Sequence, residues 1–442
     1  MTESSRHPLD RLEPQLSLFD ATMLVVSSVI GVGIFLTPGA VADALPSPGL
    51  FLAAWAIGGM LSLAGALANA ELGAMYPHAG GDYVYLREAW HPRAGFVVGW
   101  LSFFVVYAGT VATLATGFAE GLAGFIDLGD AGRSGAAVAI VLACSAVNHR
   151  GVRLGAWINN LTAGFKVLAL LVLAVAGPLL GNAPTATAAA PESAEVSLAG
   201  FGLALSPVLF SYLGWNASVF VASEIRRPER NLPWSLFLGL AVSTAVYLMV
   251  NLSYLHALPI EQMRGEVRVG EAVARVYFGQ AGATLAAVLI LGSIVSCLNA
   301  TILVGPRIAY AMAIDGLFLK SVARVHEVYR TPHAAIWVQA ATAIALIAVL
   351  GTFPSVLEYT TFAIVLATMA DTAALYALRR RRPSQPRPYR AWGYPMLPAL
   401  YLVANAAIAG AMLWGRPLEC AVALAVTATA LPAYALFSRL RR

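Results

Sequence analysis

Ser27-Ser28-Val29-Ile30-Gly31-Val32-Gly33-Ile34-Phe35-Leu36-Thr37-Pro38-Gly39 carries almost no reactive side chains, so its chemistry is that of the backbone. Each glycine costs a helix interior about 1 kcal/mol relative to alanine. Pro38 has no N–H to offer the carbonyl of Ile34. Small residues four apart would serve close helix packing in a membrane. Gly31 and Gly33 are two apart and, at about 100° per residue, lie on nearly opposite faces. The stretch therefore reads as a helix broken inside a long apolar run, with free N–H and C=O groups lining a binding cavity. A second apolar run, 199–222, carries Phe210-Ser211-Tyr212-Leu213-Gly214-Trp215-Asn216 in its middle. Two interrupted hydrophobic segments, one in each half of a chain, point to the central site of a transporter.

Ionisable and polar groups inside the apolar runs are the next candidates. Lys166 sits about 13 residues, or ~20 Å at 1.5 Å per residue, from the inner end of its run. That is too deep to snorkel, so it is expected to face the protein interior as a functional or structural cation. A later run contains Ser293, Ser296, Cys297 and Asn299 in its middle. Arg307 lies further along, near the cytoplasmic third, and is expected to snorkel or to pair with Asp20 or Asp315, with a gate or topology role rather than substrate contact. Glu71 and Asp371 lie near cytoplasmic ends of their runs. The seven histidines are scattered and mostly terminal to spans, with no His-x-x-x-His or Cys-x-x-Cys, which argues against a metal site or a membrane-embedded enzyme. A channel or a non-transporting sensor stays open at this level.

The elements that position these groups are membrane helices. The 442 residues are 59% hydrophobic and 12% charged, against about 25% charged in soluble domains, and the mean hydropathy is +0.72. Residues 1–15 form a polar tail without the pattern of a signal peptide. Runs of about 20 apolar residues place twelve spans near 17–44, 48–75, 94–124, 134–149, 153–180, 198–223, 232–256, 280–314, 333–352, 355–378, 392–414 and 417–437. Residues 77–90 are polar and aromatic, as in an interfacial helix on the inner face. Residues 181–196, without Lys or Arg, read as a flexible outer loop, and 224–233 as a salt-bridged, solvated inner turn. With a cytoplasmic N-terminus the inner segments collect most arginines, including Arg87, Arg93, Arg150, Arg153 and the Arg379–Arg382 anchor. The outer ones receive Arg133, Arg264, Arg268, Arg275 and Arg416. Both termini are therefore expected in the cytoplasm. The net charge of +5 needs no nucleic acid to explain it. Cys144, Cys297 and Cys420 fall inside spans, so neither an internal disulfide nor a disulfide-linked subunit is expected.

In this order, several stretches resemble the amino acid–polyamine–organocation (APC) superfamily, most closely its L-amino-acid transporter branch. They are Gly31-Val-Gly-Ile-Phe35, Ala70-Glu-Leu-Gly73, Gly80-Gly-Asp-Tyr-Val-Tyr-Leu-Arg-Glu-Ala89, Tyr212-Leu-Gly-Trp-Asn216 and Glu224 with Arg227-Pro-Glu-Arg-Asn-Leu-Pro233. Arg307-Ile-Ala-Tyr-Ala-Met-Ala-Ile-Asp-Gly316 and Arg387-Pro-Tyr-Arg-Ala-Trp-Gly-Tyr-Pro395 continue the series. The resemblance implies an all-α polytopic LeuT-type fold of two inverted five-helix repeats, 16–180 and 198–378. Helices 1 and 6 would be discontinuous, with two peripheral helices in 392–437 and a short tail, 438–442. It implies that N–H groups of Val32, Gly33 and Ile34, beside Gly31, take a substrate carboxylate. Carbonyls of Val29, Ile30, Phe210, Ser211 and Leu213 would take the ammonium. Val32 stands where many relatives have Ser or Thr, and Leu213 where many have Gly or an acid. Lys166, with Ser293 or Ser296, would replace the sodium ion of sodium-coupled members. The expectation is a cofactor-free, metal-free secondary transporter of neutral L-amino acids in the cell (inner) membrane. It would work by exchange or facilitated movement without sodium, with proton coupling or another amino acid or amine substrate as the alternative.

Overall fold

The computed structural model describes residues 10–181, 198–266, 268–350, 353–415 and 417–440. The first residues of the tail, most of the expected 181–196 loop, Arg416 and the final two arginines lie outside them. The protein is an all-α polytopic membrane protein. The one β-type pairing among the described residues is an isolated bridge between Leu16 and Ile225. Ten helical stretches there are long and apolar enough to cross a membrane.

The first apolar run is not one helix. Helix α1 (Leu18–Val29) opens on a capping box, in which the Ser17 hydroxyl accepts from Asp20 N–H and the Asp20 carboxylate accepts from Ser17 N–H. It ends at Ile30, and the chain resumes in α2 (Gly33–Leu36) and α3 (Pro38–Ala44). Pro38 takes the first turn of α3, where the missing N–H costs least. There follow α4 (Pro48–Met75) and α5 (Asp82–Ala89), the latter in the expected interfacial segment. The third span is α6 (Pro92–Trp100), a π-helical stretch Leu101–Tyr107 and α7 (Ala108–Ala123). Then come α8 (Asp130–His149) and α9 (Val152–Leu180).

The second half repeats the interruption: α10 (Leu198–Tyr212) stops, and α11 (Ala217–Phe220) restarts after a turn. Gly214 in that turn has φ +94°, a value at which a side chain would be strained. Then follow α12 (Pro228–Ala257), α13 (Ile260–Met263), α14 (Val269–Val304) and α15 (Pro306–Ile314). Here the structure departs from the expected single span over 280–314. A helical turn region begins at Val269, the backbone turns non-helical at Gly279 (φ +66°), and Pro306 starts a separate helix. The chain ends with α16 (His333–Leu350), α17 (Phe353–Arg381), α18 (Met396–Gly415), α19 (Pro417–Ala428) and α20 (Ala430–Leu440).

Helix α1 packs on α9, α12 and α14, and α4 packs on α10, α12, α17 and α18. Ile30 and Ile34 of the first break and Tyr212 and Trp215 of the second thereby share one apolar core, while Val32 packs in a second cluster with residues of α7 and α14.

Candidate functional site

The two breaks touch. A Cβ built on Gly33 would stand 2.5 Å from Ser211 Oγ and 2.8 Å from its Cα, and one on Gly214 would stand 2.8 Å from the Ser28 carbonyl oxygen. The Thr37 hydroxyl spans the gap at 2.9 Å from Ser211 Oγ. Within the first break Gly31 N–H donates back to Val29 C=O at 2.8 Å, and the next backbone bonds to form are those of Phe35 and Leu36 to Val32 C=O. Among the described residues the N–H groups of Val32, Gly33 and Ile34 have no acceptor. A helix start always leaves such donors free. Here they stand at the start of a half-helix inside the protein, where water is scarce.

Beside them lies a cavity of ≈ 150 Å³. Val29, Gly31, Val32, Gly33, Phe210, Ser211 and Leu213 line it, whereas Ile30 and Ile34 are fully buried behind it. The π-helical stretch adds Val106 and Tyr107 to the lining, and α17 adds Thr361, Ile364 and Thr368. Three groups here were missed by sequence reasoning. The Tyr247 hydroxyl on α12 lies 2.7 Å from Val29 O and 2.8 Å from Ser211 O, so its single proton is shared between carbonyls of the two breaks. Tyr107 offers no sequence signal beyond its aromatic type. Asp82, the first residue of α5, lines the cavity. The two break segments, 27–39 and 210–216, contain no Asp or Glu, and this carboxyl arrives from a different helix.

Lys166, Ser293 and Ser296 form a separate cluster behind the first break. Lys166 Nζ donates to Ser27 C=O at 2.7 Å and lies 3.6 Å from Cys297 Sγ. Ser293 Oγ is 3.4 Å from Ile30 C=O. Ser296 Oγ is tied to Ser27 Oγ at 2.8 Å and to Thr162 Oγ1 at 2.9 Å. The lysine therefore meets α1 directly, and its neighbour on α14 is the thiol rather than either serine.

Outside the cavity lining a buried ion pair ties α15 to the segment that follows α11. Arg307 makes a bidentate pair with Glu224, at 2.7 and 3.1 Å, and both side chains are buried. The partners expected from sequence are engaged elsewhere: Asp20 caps α1 and accepts from Asn160, and Asp315 holds Arg87 and Tyr83. Glu224 is not in a solvated turn, because the tail crosses over it. Gln15 and Leu16 N–H both donate to Glu224 C=O at 2.8 Å. Burial and then the Asp315 carboxylate push the Tyr83 phenol well above its ordinary range. Arg379 and Arg387 grip the buried Glu71, so the basic run does more than anchor topology. His149, His326 and His333, far apart in sequence, bring their rings within 5.3–5.9 Å of one another. Among the described residues no group of three or more His, Cys, Asp or Glu is arranged to hold a metal.

A family model described as "Amino acid permease" matches residues 16–424. The chain belongs to this family. Amino acid permeases form part of the APC superfamily, and family membership makes the chain a secondary transporter of amino acids. It is 31% identical to the serine/threonine exchanger SteT of Bacillus subtilis over 96% of each chain. It is 29% identical to the human b(0,+)-type amino acid transporter 1 over 86% of this chain and 79% of that one. To the human large neutral amino acids transporter small subunit 2 it is 26% identical, over 96% and 80%. The permease cavity thus sits at the meeting point of the two breaks.

Proposed function

We propose that this permease is a sodium-independent transporter of neutral L-amino acids, by exchange or facilitated movement and with the proton as its candidate coupling ion, working by alternating access through two inverted five-helix repeats within twelve spans. One observation carries the reading: among the described residues the N–H groups of Val32, Gly33 and Ile34 have no acceptor, and Val32 and Gly33 line the cavity together with Phe210, Ser211 and Leu213 of the second break. Half-helix starts carry partial positive charge and half-helix ends partial negative charge. A zwitterion needs that pair of ends and no side-chain charge. The substrate carboxylate takes the three donors. The ammonium takes carbonyls from Val29, Ile30, Phe210, Ser211 and Leu213, with Phe210 covering it.

Exchange is favoured by the name of the serine/threonine exchanger among the relatives. Lys166 acts as a tethered cation on α1, held by Ser27 C=O, with Ser293 and Ser296 completing the polar seam. Asp82 in the cavity wall is the observation that favours the alternative, a cationic amino acid or amine: one of its oxygens accepts from the Ser102 hydroxyl at 3.0 Å, which leaves its charge in place. The cell membrane with both termini in the cytoplasm is the location that the arginine distribution supports.

Counterflow into proteoliposomes loaded with unlabelled serine tests the reading. Labelled serine should enter, be displaced by alanine and leucine, and be indifferent to choline in place of sodium. Arginine competing better than leucine would overturn the neutral-substrate reading.

A further inference from the structure

Asp82 and Asp371 are both buried, at 2% and 0% exposure, and face each other within hydrogen-bonding reach. Asp82 Oδ2 accepts from Ser102 Oγ at 3.0 Å, while among the described residues its other oxygen and both oxygens of Asp371 have no donor in hydrogen-bonding geometry. Two carboxylates in contact present acceptors to acceptors and repel. A proton on one turns the clash into an O–H···O⁻ hydrogen bond. Two further polar groups point at the same spot without a closed hydrogen bond. They are the amide of Asn69 on α4, which faces Asp371, and the hydroxyl of Tyr85 on α5, which is close to both acids.

Among the described residues no counter-ion does the proton's work. The other titratable groups close to the pair are the phenols of Tyr85, Tyr107 and Tyr401. On the packed helices, Glu71 of α4 and Arg379 of α17 are paired together, and Arg307 of α15 is held by Glu224. Arg93 of α6 lies over Tyr434, α19 brings the buried thiol of Cys420, and Glu120 of α7 is exposed. Among the described residues no Lys, Arg or His acts on either carboxyl. Burial, the largest influence, pushes the Asp82 carboxyl up from its ordinary range, opposed by its hydrogen bonds to Asp371 and Ser102.

Asp82 is the acid that opens α5, and its neighbour Gly81 packs against the Phe220 ring, where a Cβ would meet a ring carbon at 2.7 Å. Gly80 N–H donates to Phe220 C=O at 3.2 Å. Phe220, at the end of α11, lines the cavity, as Asp82 does. The start of α5 is thus attached to the broken second half-helix, while Asp371 belongs to α17. We propose that Asp82 and Asp371 form a proton site on the cavity wall, which holds one proton while the wall is closed and releases it when α5 and α11 part from α17. The Ser102 hydroxyl and the start of α5 favour the anion at Asp82, leaving the proton on Asp371. On opening, the O–H bond of Asp371 breaks, the proton passes to water, and two separate hydrated carboxylates remain.

This inference rests on the cavity being the amino acid path, and its test separates the two. The full-length protein in proteoliposomes enclosing a pH dye is given labelled serine. An inward acid gradient of about one pH unit should support up to about tenfold accumulation, one proton per serine, with the dye recording acidification in step with uptake. Serine counterflow with no gradient-driven accumulation and no acidification overturns the proton site and leaves the transport reading standing. Absence of any counterflow removes both. Independently of transport, difference infrared spectra between acid and alkaline buffer should contain a carboxylic acid C=O band that is lost in Asp371→Asn. The same loss is expected in Asp82→Asn, where the proton no longer has an anionic partner. A spectrum without that band in the unaltered protein, or with it intact in both variants, overturns the proposal.

Discussion

Gly33→Ala is the sharpest perturbation of the site. The added methyl would lie 2.5 Å from Ser211 Oγ, 2.7 Å from its Cβ and 2.8 Å from its Cα. Carbon atoms rest at roughly 3.5–4.0 Å, so the overlap is about 1 Å and the two breaks must move apart. Overpacking of this kind costs about 1–3 kcal/mol. At about 1.4 kcal/mol per tenfold, serine counterflow should fall by roughly 5- to 150-fold if the closed arrangement of the breaks binds the substrate. The geometry also forbids an easy rescue. Ser211→Ala removes the hydroxyl but leaves the Cβ, and even Ser211→Gly leaves the Cα in contact. Neither change combined with Gly33→Ala should restore transport. The assay is counterflow in proteoliposomes, with the variants first checked for a single symmetric elution peak in detergent. Gly33→Ala with unaltered KM and rate, or full recovery in the Ser211→Gly double variant, would refute the argument that these backbones must touch.

Gly31→Ala meets Cys297 Sγ at 3.4 Å, so its loss of counterflow should be several-fold smaller than that of Gly33→Ala in the same assay. Tyr247→Phe deletes the shared proton on Val29 and Ser211 carbonyls. A hydrogen bond worth about 0.5–1.5 kcal/mol predicts a KM for serine raised roughly 2- to 12-fold. Lys166→Ala empties the 2.7 Å contact on Ser27 C=O and should impair transport while leaving the elution profile unchanged. Full activity in that variant would defeat the tethered-cation reading. Arg307→Ala leaves Glu224 buried without its cation, a loss of about 3–5 kcal/mol. It should appear as a lower unfolding temperature than that of the Arg307→Ala/Glu224→Gln double variant.

Much of the molecule is written locally. Apolar runs of sufficient length mark the membrane helices, because hydrocarbon tolerates little else. The first break is legible at Gly31, Gly33 and Pro38, because a glycine or proline acts on its own turn of helix whatever surrounds it. The same locality put Lys166 in the interior and marked out the segment of Asp82–Ala89, although that helix is buried in the fold rather than lying on a surface. Partnership across the fold is different. That Arg307 meets Glu224 rather than Asp20 or Asp315, that Tyr247 shares its proton between two breaks, and that the three histidines gather, depend on which helix faces pack. The Asp82–Asp371 pairing is the clearest case: the residues lie on separate helices, 289 positions apart in the numbering, and neither segment hints at the other. One acid looked like part of a polar surface helix and the other like an acid near a helix end. Only packing α5 against α17 removes water from both, and in a site without a counter-ion that desolvation turns two ordinary carboxylates into a pair that must share a proton.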